Sequence, residues 1–154
     1  MTHHFSHSNI SEMDPIVLYK ILQLRTDVFV VEQNCAYPEL DGRDLESDCE
    51  LIWVTIDDEI AGTTRILKDP DALRIGRVVV APNHRGTGIA RELFAATLER
   101  CKQIDSESKI VLDAQAPLQG WYGSFGFTPV SDVFMEDGIP HITMELYARR
   151  IDTN

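Results

Sequence analysis

Apolar residues change their spacing several times along the chain, and each change marks an element. Behind Asp14-Pro15, the residues Leu18, Ile21, Leu24 and Val28 recur at helical spacing. Asp is a favoured N-cap, and Pro suits the first helical position, where its missing N–H is not needed. A helix therefore starts at Pro15, and Val28-Phe29-Val30-Val31 continues it as half-buried turns. A short strand over residues 2–6 precedes it. Leu51-Ile52-Trp53-Val54-Thr55-Ile56 is apolar and β-branched, which predicts a strand. Asp57-Asp58-Glu59 turns the chain into a second strand over 60–67, and Lys68-Asp69-Pro70-Asp71 turns it again. The strand that follows, 73–80, ends in Val78-Val79-Val80, a run that predicts burial on both faces.

From 85 to 103 the period becomes helical. Ile89, Leu93, Thr97 and Cys101 form one stripe, with Ala90, Phe94 and Leu98 beside it. Another strand is expected at 109–113, then a short helix over 118–125 closed by Gly126. Paired strands over 128–135 and 141–147 flank Glu136-Asp137-Gly138. In the last of them Ile142, Met144 and Leu146 alternate with Thr143, Glu145 and Tyr147. The order is mixed α/β with one strand–helix–strand crossover, and no linker or repeat divides residues 1–154, which predicts a single domain.

Charge narrows the class. The formal net charge of -11 lacks the basic surface that nucleic acid requires, and an anionic membrane would repel it. No segment reaches the ~20 apolar residues of a membrane span, and no basic-then-apolar leader opens the chain. Three scattered cysteines, Cys35, Cys49 and Cys101, suit reduced thiols in the cytoplasm rather than a disulfide framework. His3, His4 and His7 read as solvated residues near a frayed end, and no metal is expected. Between Glu32 and Glu50 lie Glu32, Glu39, Asp41, Asp44, Glu46, Asp48 and Glu50 against Arg43 alone. That stretch reads either as a solvated loop or as a field that draws in a protonated amine.

The segment that carries chemistry is Val78-Val79-Val80-Ala81-Pro82-Asn83-His84-Arg85-Gly86-Thr87-Gly88-Ile89-Ala90. A strand enters a turn with two glycines, and a helix begins. Glycines let backbone N–H groups approach an anion, the helix start adds partial positive charge, and Arg85 adds a charge-assisted bond. The arrangement predicts a pyrophosphate cradle. A dinucleotide fingerprint would need a third glycine where Arg91 stands, and no P-loop pattern is present.

Arg85-Gly86-Thr87-Gly88-Ile89-Ala90 resembles the R/Q-x-x-G-x-G/A signature of the GNAT acetyltransferase superfamily. Tyr122 to Phe127 resembles its Y-x-x-x-G-F element. Leu22 to Cys35, Asp41-Gly42, Gly76-Arg77-Val78, Ala114-Gln115-Ala116 and Glu136 to His141 are similar to segments of the ElaA-like group within it. The resemblance implies a mixed, mostly antiparallel sheet of six to seven strands, with helices on both faces and a splayed central pair that binds CoA. It implies an acetyl-CoA-dependent N-acetyltransferase acting on a primary amine of a small molecule or protein, the amine attacking the thioester directly. The other class left open is a CoA-binding sensor or scaffold without chemistry. Homodimers are frequent in the superfamily, though no surface stripe in the sequence marks one.

Carried over residue by residue, Val78, Val79 and Val80 offer backbone groups to the pantetheine arm and the oxyanion. Arg85, Gly86, Thr87, Gly88, Ile89 and Ala90 surround the pyrophosphate, with Asn83 and Arg91 as further contacts. Tyr122 resembles the general acid. The general base stays open among Glu32, Glu39, Asp41, Glu50 and His141, with Glu32 and His141 foremost. Arg25, Glu39 and Gln115 are the candidates for acceptor contact.

Overall fold

The computed structural model describes residues 2–151. Strand β1 (His3–Ser8) leads to helix α1 (Pro15–Thr26), whose first turn is capped by the Asp14 carboxylate accepting the Ile16 N–H at 2.8 Å. The helix then widens into a π-helical segment, Asp27–Glu32. Strands β2 (Glu50–Ile56), β3 (Glu59–Lys68) and β4 (Ala72–Val80) follow, then α2 (Ile89–Ile104) and β5 (Lys109–Gln115). Helix α3 (Gln119–Gly123) and strands β6 (Thr128–Pro129), β7 (Phe134–Glu136) and β8 (Ile139–Tyr147) complete the order.

The strands form one sheet in the order β1-β2-β3-β4-β5-β8-β6, with β7 also on β8. Every pair is antiparallel except β4–β5, which α2 joins as the crossover. Asp57-Asp58 and Asp137-Gly138 have positive φ at both residues, the conformation that matches a two-residue hairpin to strand twist.

Each face of the sheet has its own core. Ile89, Leu93, Phe94, Leu98 and Cys101 of α2 pack on one face against Ile52, Val54, Ile75, Ile110 and Leu112. Thr97 lies in that stripe without an orphaned hydroxyl, because it bonds Thr64 at 2.8 Å and the Leu93 carbonyl at 2.9 Å. On the other face Ile21 of α1 meets Cys49, Leu51 and Leu67. All three cysteines are free, and burial pushes the thiols of Cys49 and Cys101 up to about 11 and about 12. Among the described residues no helix is long and apolar enough to cross a membrane.

Four expectations change. Among the described residues the sheet has eight strands, one more than seven, because 128–135 is interrupted: the Ser131 hydroxyl, not a backbone carbonyl, accepts the Thr143 N–H at 2.9 Å. The valine run is buried on one side only. Val79 is covered, whereas Val78 and Val80 are half-buried beside a cleft. The N-terminal histidines stand in the paired strand β1, where His3 and His7 lie 3.5 and 3.3 Å from Glu92 and Glu50. The acidic stretch is no free field. Six of its seven carboxylates meet arginines: Glu32 with Arg85, Glu39 and Asp44 with Arg25, Asp41 with Arg65, Glu46 with Arg43, and Glu50 with Arg100.

Candidate active site

The site originates where β4 leaves β5. Their ladder covers only Ala72–Arg74 against Lys109–Val111. Beyond it, Arg77 and Val78 together oppose the single residue Thr64 of β3, and Arg77 has φ +52°. Such a bulge bends its strand and increases the local twist. The β5-facing edge of β4 is left unpaired from Ile75 to Val80, and a cleft of about 920 Å³ opens through the gap. Phe29, Val78, Val80, Leu112, Gln115, Tyr122 and His141 are among the residues that line it. An extended guest can pair with the open β4 edge as an added strand.

At the end of β4 lies the glycine loop. Gly86 and Gly88 have φ +75° and +84°, and a Cβ built on either would meet no atom within 4 Å. The space above the loop is therefore open. Gly88 is the N-cap of α2 and supplies no side-chain acceptor, so the first N–H groups of the helix are offered to an anion. These backbone groups fit a pyrophosphate. Thr87 braces the loop, donating its hydroxyl to the His84 carbonyl at 2.7 Å.

The side chains around the loop are engaged elsewhere. Ile89 is 1% exposed and packs in the core, which leaves its backbone, not its side chain, for a ligand. Ala90 is half-buried. Asn83 donates to Glu59 at 3.5 Å. Arg91 donates to Ser124 at 2.8 Å and lies 4.5 Å over the Phe125 ring, tying α2 to the turn after α3. Arg85 forms a bidentate pair with Glu32 at 2.9 and 2.7 Å. The proposed phosphate ligand and a foremost candidate base thus hold each other. Arg85, chiefly by its hydrogen bonds, draws the Glu32 carboxyl below its usual range, which makes it a poor proton acceptor. Glu32→Gln is accordingly expected to keep turnover within about threefold, read from kcat across pH; a hundredfold loss, of the size general-base removal brings, would restore Glu32 as the base.

Tyr122 is 7% exposed, with Phe94 and Trp121 at ring-centroid distances of 5.2 and 5.0 Å. Among the described residues its hydroxyl has no hydrogen-bond partner, and burial pushes the phenol up to about 12. His141 and Gln115 are register partners at the ends of β8 and β5. His141 Nδ1 lies 2.7 Å from the Ile139 carbonyl, so Nδ1 carries the proton and Nε2 is left as the basic atom, 3.6 Å from Glu136.

Arg25 and Glu39, expected to contact the acceptor, are buried and do not line the cleft. Arg25 is 1% exposed, donating to Glu39 at 2.6 Å and to Asp44 at 2.7 and 3.1 Å. Burial opposes its charge, but the hydrogen bond to Asp44 and the fields of both acids outweigh that and raise its pKa. Arg65 and Arg77 join through Asp41 and Glu39, and Tyr37 donates to Glu39 at 2.7 Å. Asp41, Asp44, Arg65, Arg77 and Tyr37 carry no sequence signal as a group, because they lie on three separate segments: the loop before β2, β3 and β4.

A parted strand pair beside a glycine-rich helix start defines the architecture of acyl-CoA N-acyltransferases. The chain belongs to the GNAT acetyltransferase family, whose acetyltransferase (GNAT) domain model matches residues 24–148. It is 47% identical over 137 residues to protein ElaA of Escherichia coli K12, covering 87% of this chain and 90% of that protein. The crystal structure of Escherichia coli ElaA superposes with a TM-score of 0.89 at 43% identity, over 94% of this chain and 99% of that one. An acyl-CoA N-acyltransferase from Pseudomonas aeruginosa gives a TM-score of 0.90 at 36% identity, with the same coverage of 94% and 99%.

Proposed function

We propose that the protein transfers an acetyl group from acetyl-CoA to a primary amine of a small molecule or protein, by direct attack of the amine on the thioester. The observation that carries this reading is the continuity of one cleft with the open β4 edge, and that edge's run into the glycine loop. The loop and the head of α2 hold the pyrophosphate through backbone N–H groups. Unpaired β4 backbone near Val79 and Val80 takes the pantetheine arm and stabilises the oxyanion. His141 Nε2 accepts the amine proton, directly or through water. Tyr122 donates a hydrogen bond to the departing sulfur.

The acceptor's charge is met at the cleft mouth. Glu136 and Asp137 line it, and among the described residues neither carboxylate is paired with an arginine, Glu136 lying 3.6 Å from His141. They, and not the neutralised 32–50 stretch, are the groups that receive an ammonium, while Gln115 contributes hydrogen bonding.

Thermal unfolding with acetyl-CoA or with NAD tests the reading. At 100-fold over its dissociation constant a ligand adds about 2.7 kcal/mol, a rise of roughly 5–11 °C for a chain of this size. The rise is expected with acetyl-CoA, not with NAD, and is expected to vanish in Gly88→Glu, which puts bulk and negative charge at a φ of +84°. No shift with acetyl-CoA refutes the proposal. A shift without thiol release in the presence of any amine identifies the sensor or scaffold instead.

A further inference from the structure

Five non-glycine residues among those described have positive φ: Asn34, Asp57, Asp58, Arg77 and Asp137. Four are Asn or Asp, whose short polar side chains support that conformation locally. Arg77 has no such help, and it stands inside a strand. Bulges of this left-handed form take glycine at the position Arg77 occupies. A glycine is adjacent, yet Gly76 does not take the left-handed conformation. The chain therefore places the bulge on the residue with the higher intrinsic cost, and something outside the strand must decide it.

The Arg77 side chain shows what decides. Its Nε lies 2.8 Å from Glu39 Oε1, an ion pair out of hydrogen-bond alignment, and Nη2 donates to the backbone carbonyl of Glu39 at 3.0 Å and to Asp41 Oδ2 at 3.3 Å. The guanidinium sits 5.6 Å from the centre of the Tyr37 ring. Glu39 is in turn held by Arg25 of α1 at 2.6 Å, in a pair almost wholly out of solvent. A line of charge contacts thus runs from α1 to the backbone that parts β4 from β5.

We propose that Glu39, anchored by Arg25, is a positioning residue for the acyl donor: it tethers Arg77 in the left-handed conformation and so sets the bulge that keeps the β4–β5 slot open. This rests on the acyltransferase reading above. Without the tether, the left-handed conformation moves to Gly76, where it costs least. The bulge then shifts by one residue, and the facing of position 77 reverses. The open β4 edge no longer presents the same groups to a guest.

Calorimetric titration with CoA tests this in wild type, Glu39→Gln, Arg77→Ala, Arg77→Gly and the double variant Glu39→Gln/Arg77→Gly. Both Ala and Gly at 77 remove the tether, but only Gly takes positive φ freely. Arg77→Ala and Glu39→Gln are expected to bind CoA about tenfold more weakly than wild type. Arg77→Gly is expected to bind within about threefold of wild type, and to rescue Glu39→Gln to the same level. A role in stability alone lowers the unfolding midpoint but leaves the affinity of the folded protein unchanged. Equal losses in Arg77→Ala and Arg77→Gly, or unaltered affinity in Glu39→Gln, overturn the proposal. No CoA binding by wild type overturns the acyltransferase reading itself, and this proposal with it.

Discussion

Tyr122→Phe is expected to lower kcat by about 100-fold, the size seen when one donor aimed at developing charge is removed, while CoA affinity stays within about twofold. The substitution removes only an oxygen. The ring keeps its contacts with Phe94 and Trp121. Because the hydroxyl has no partner among the described residues, its loss orphans no other group, and the unfolding midpoint should hold. With its phenol pushed up to about 12 by burial, Tyr122 keeps its proton throughout the working range. That value also limits what it can do. A thiol of ordinary acidity, near ~8.5, is too weak a base in its thiolate form to take a proton fully from such a phenol. The role we propose for it is therefore a hydrogen bond that strengthens as charge builds on sulfur. It follows that kcat in wild type shows no descending limb from Tyr122 below about pH 11. Steady-state kinetics of both proteins across pH check this, and unchanged kcat in Tyr122→Phe would remove Tyr122 from the mechanism.

Arg25→Ala should produce the largest loss of stability. Breaking a buried ion pair costs about 3–5 kcal/mol, because the partner charges stay behind. For a chain of this size that is a fall of roughly 6–20 °C in the unfolding midpoint. The partners here are Glu39 and Asp44, at 4% and 5% exposure. The pH dependence separates charge from packing. In wild type, burial opposes ionisation of Asp44, but its bond to Arg25 wins and holds its carboxyl below the ordinary value of 3.8. Asp41 is likewise held down by Arg65 against its own burial. Groups with depressed folded values contribute stability that is complete above their unfolded range and lost as pH falls through the depressed value. In Arg25→Ala, burial acts on Asp44 with less opposition, so its carboxyl moves upward and protonates at higher pH. The stability gap between the two proteins should therefore narrow on going from pH 7 to pH 4. Denaturant unfolding at both pH values measures it, and a constant gap would assign the loss to packing.

Residue patterns alone located nearly every element and the loop at the head of α2. The reason is that those signals are local. Asp14-Pro15 caps a helix through groups two residues apart, Asp57-Asp58 and Asp137-Gly138 turn hairpins through their own dihedrals, and the α2 stripe repeats within one turn. The same holds for Gly86 and Gly88, whose backbone freedom is a property of the residue. Charge pairing has no such period. Arg25 meets Asp44 across 19 residues, Arg65 meets Asp41 across 24, and Arg77 meets Asp41 across 36. The stretch from Glu32 to Glu50 is neutralised mostly by arginines outside it, from α1, β3, β4, the glycine loop and α2. Glu32 and Arg85 are 53 residues apart in sequence and in contact in space. The bulge shows the division most sharply. That β4 is a strand was written in its valines and isoleucine. That Arg77 and not Gly76 takes the left-handed turn runs against the local preference of glycine, and the proposed Glu39 tether supplies a deciding contact from outside the strand.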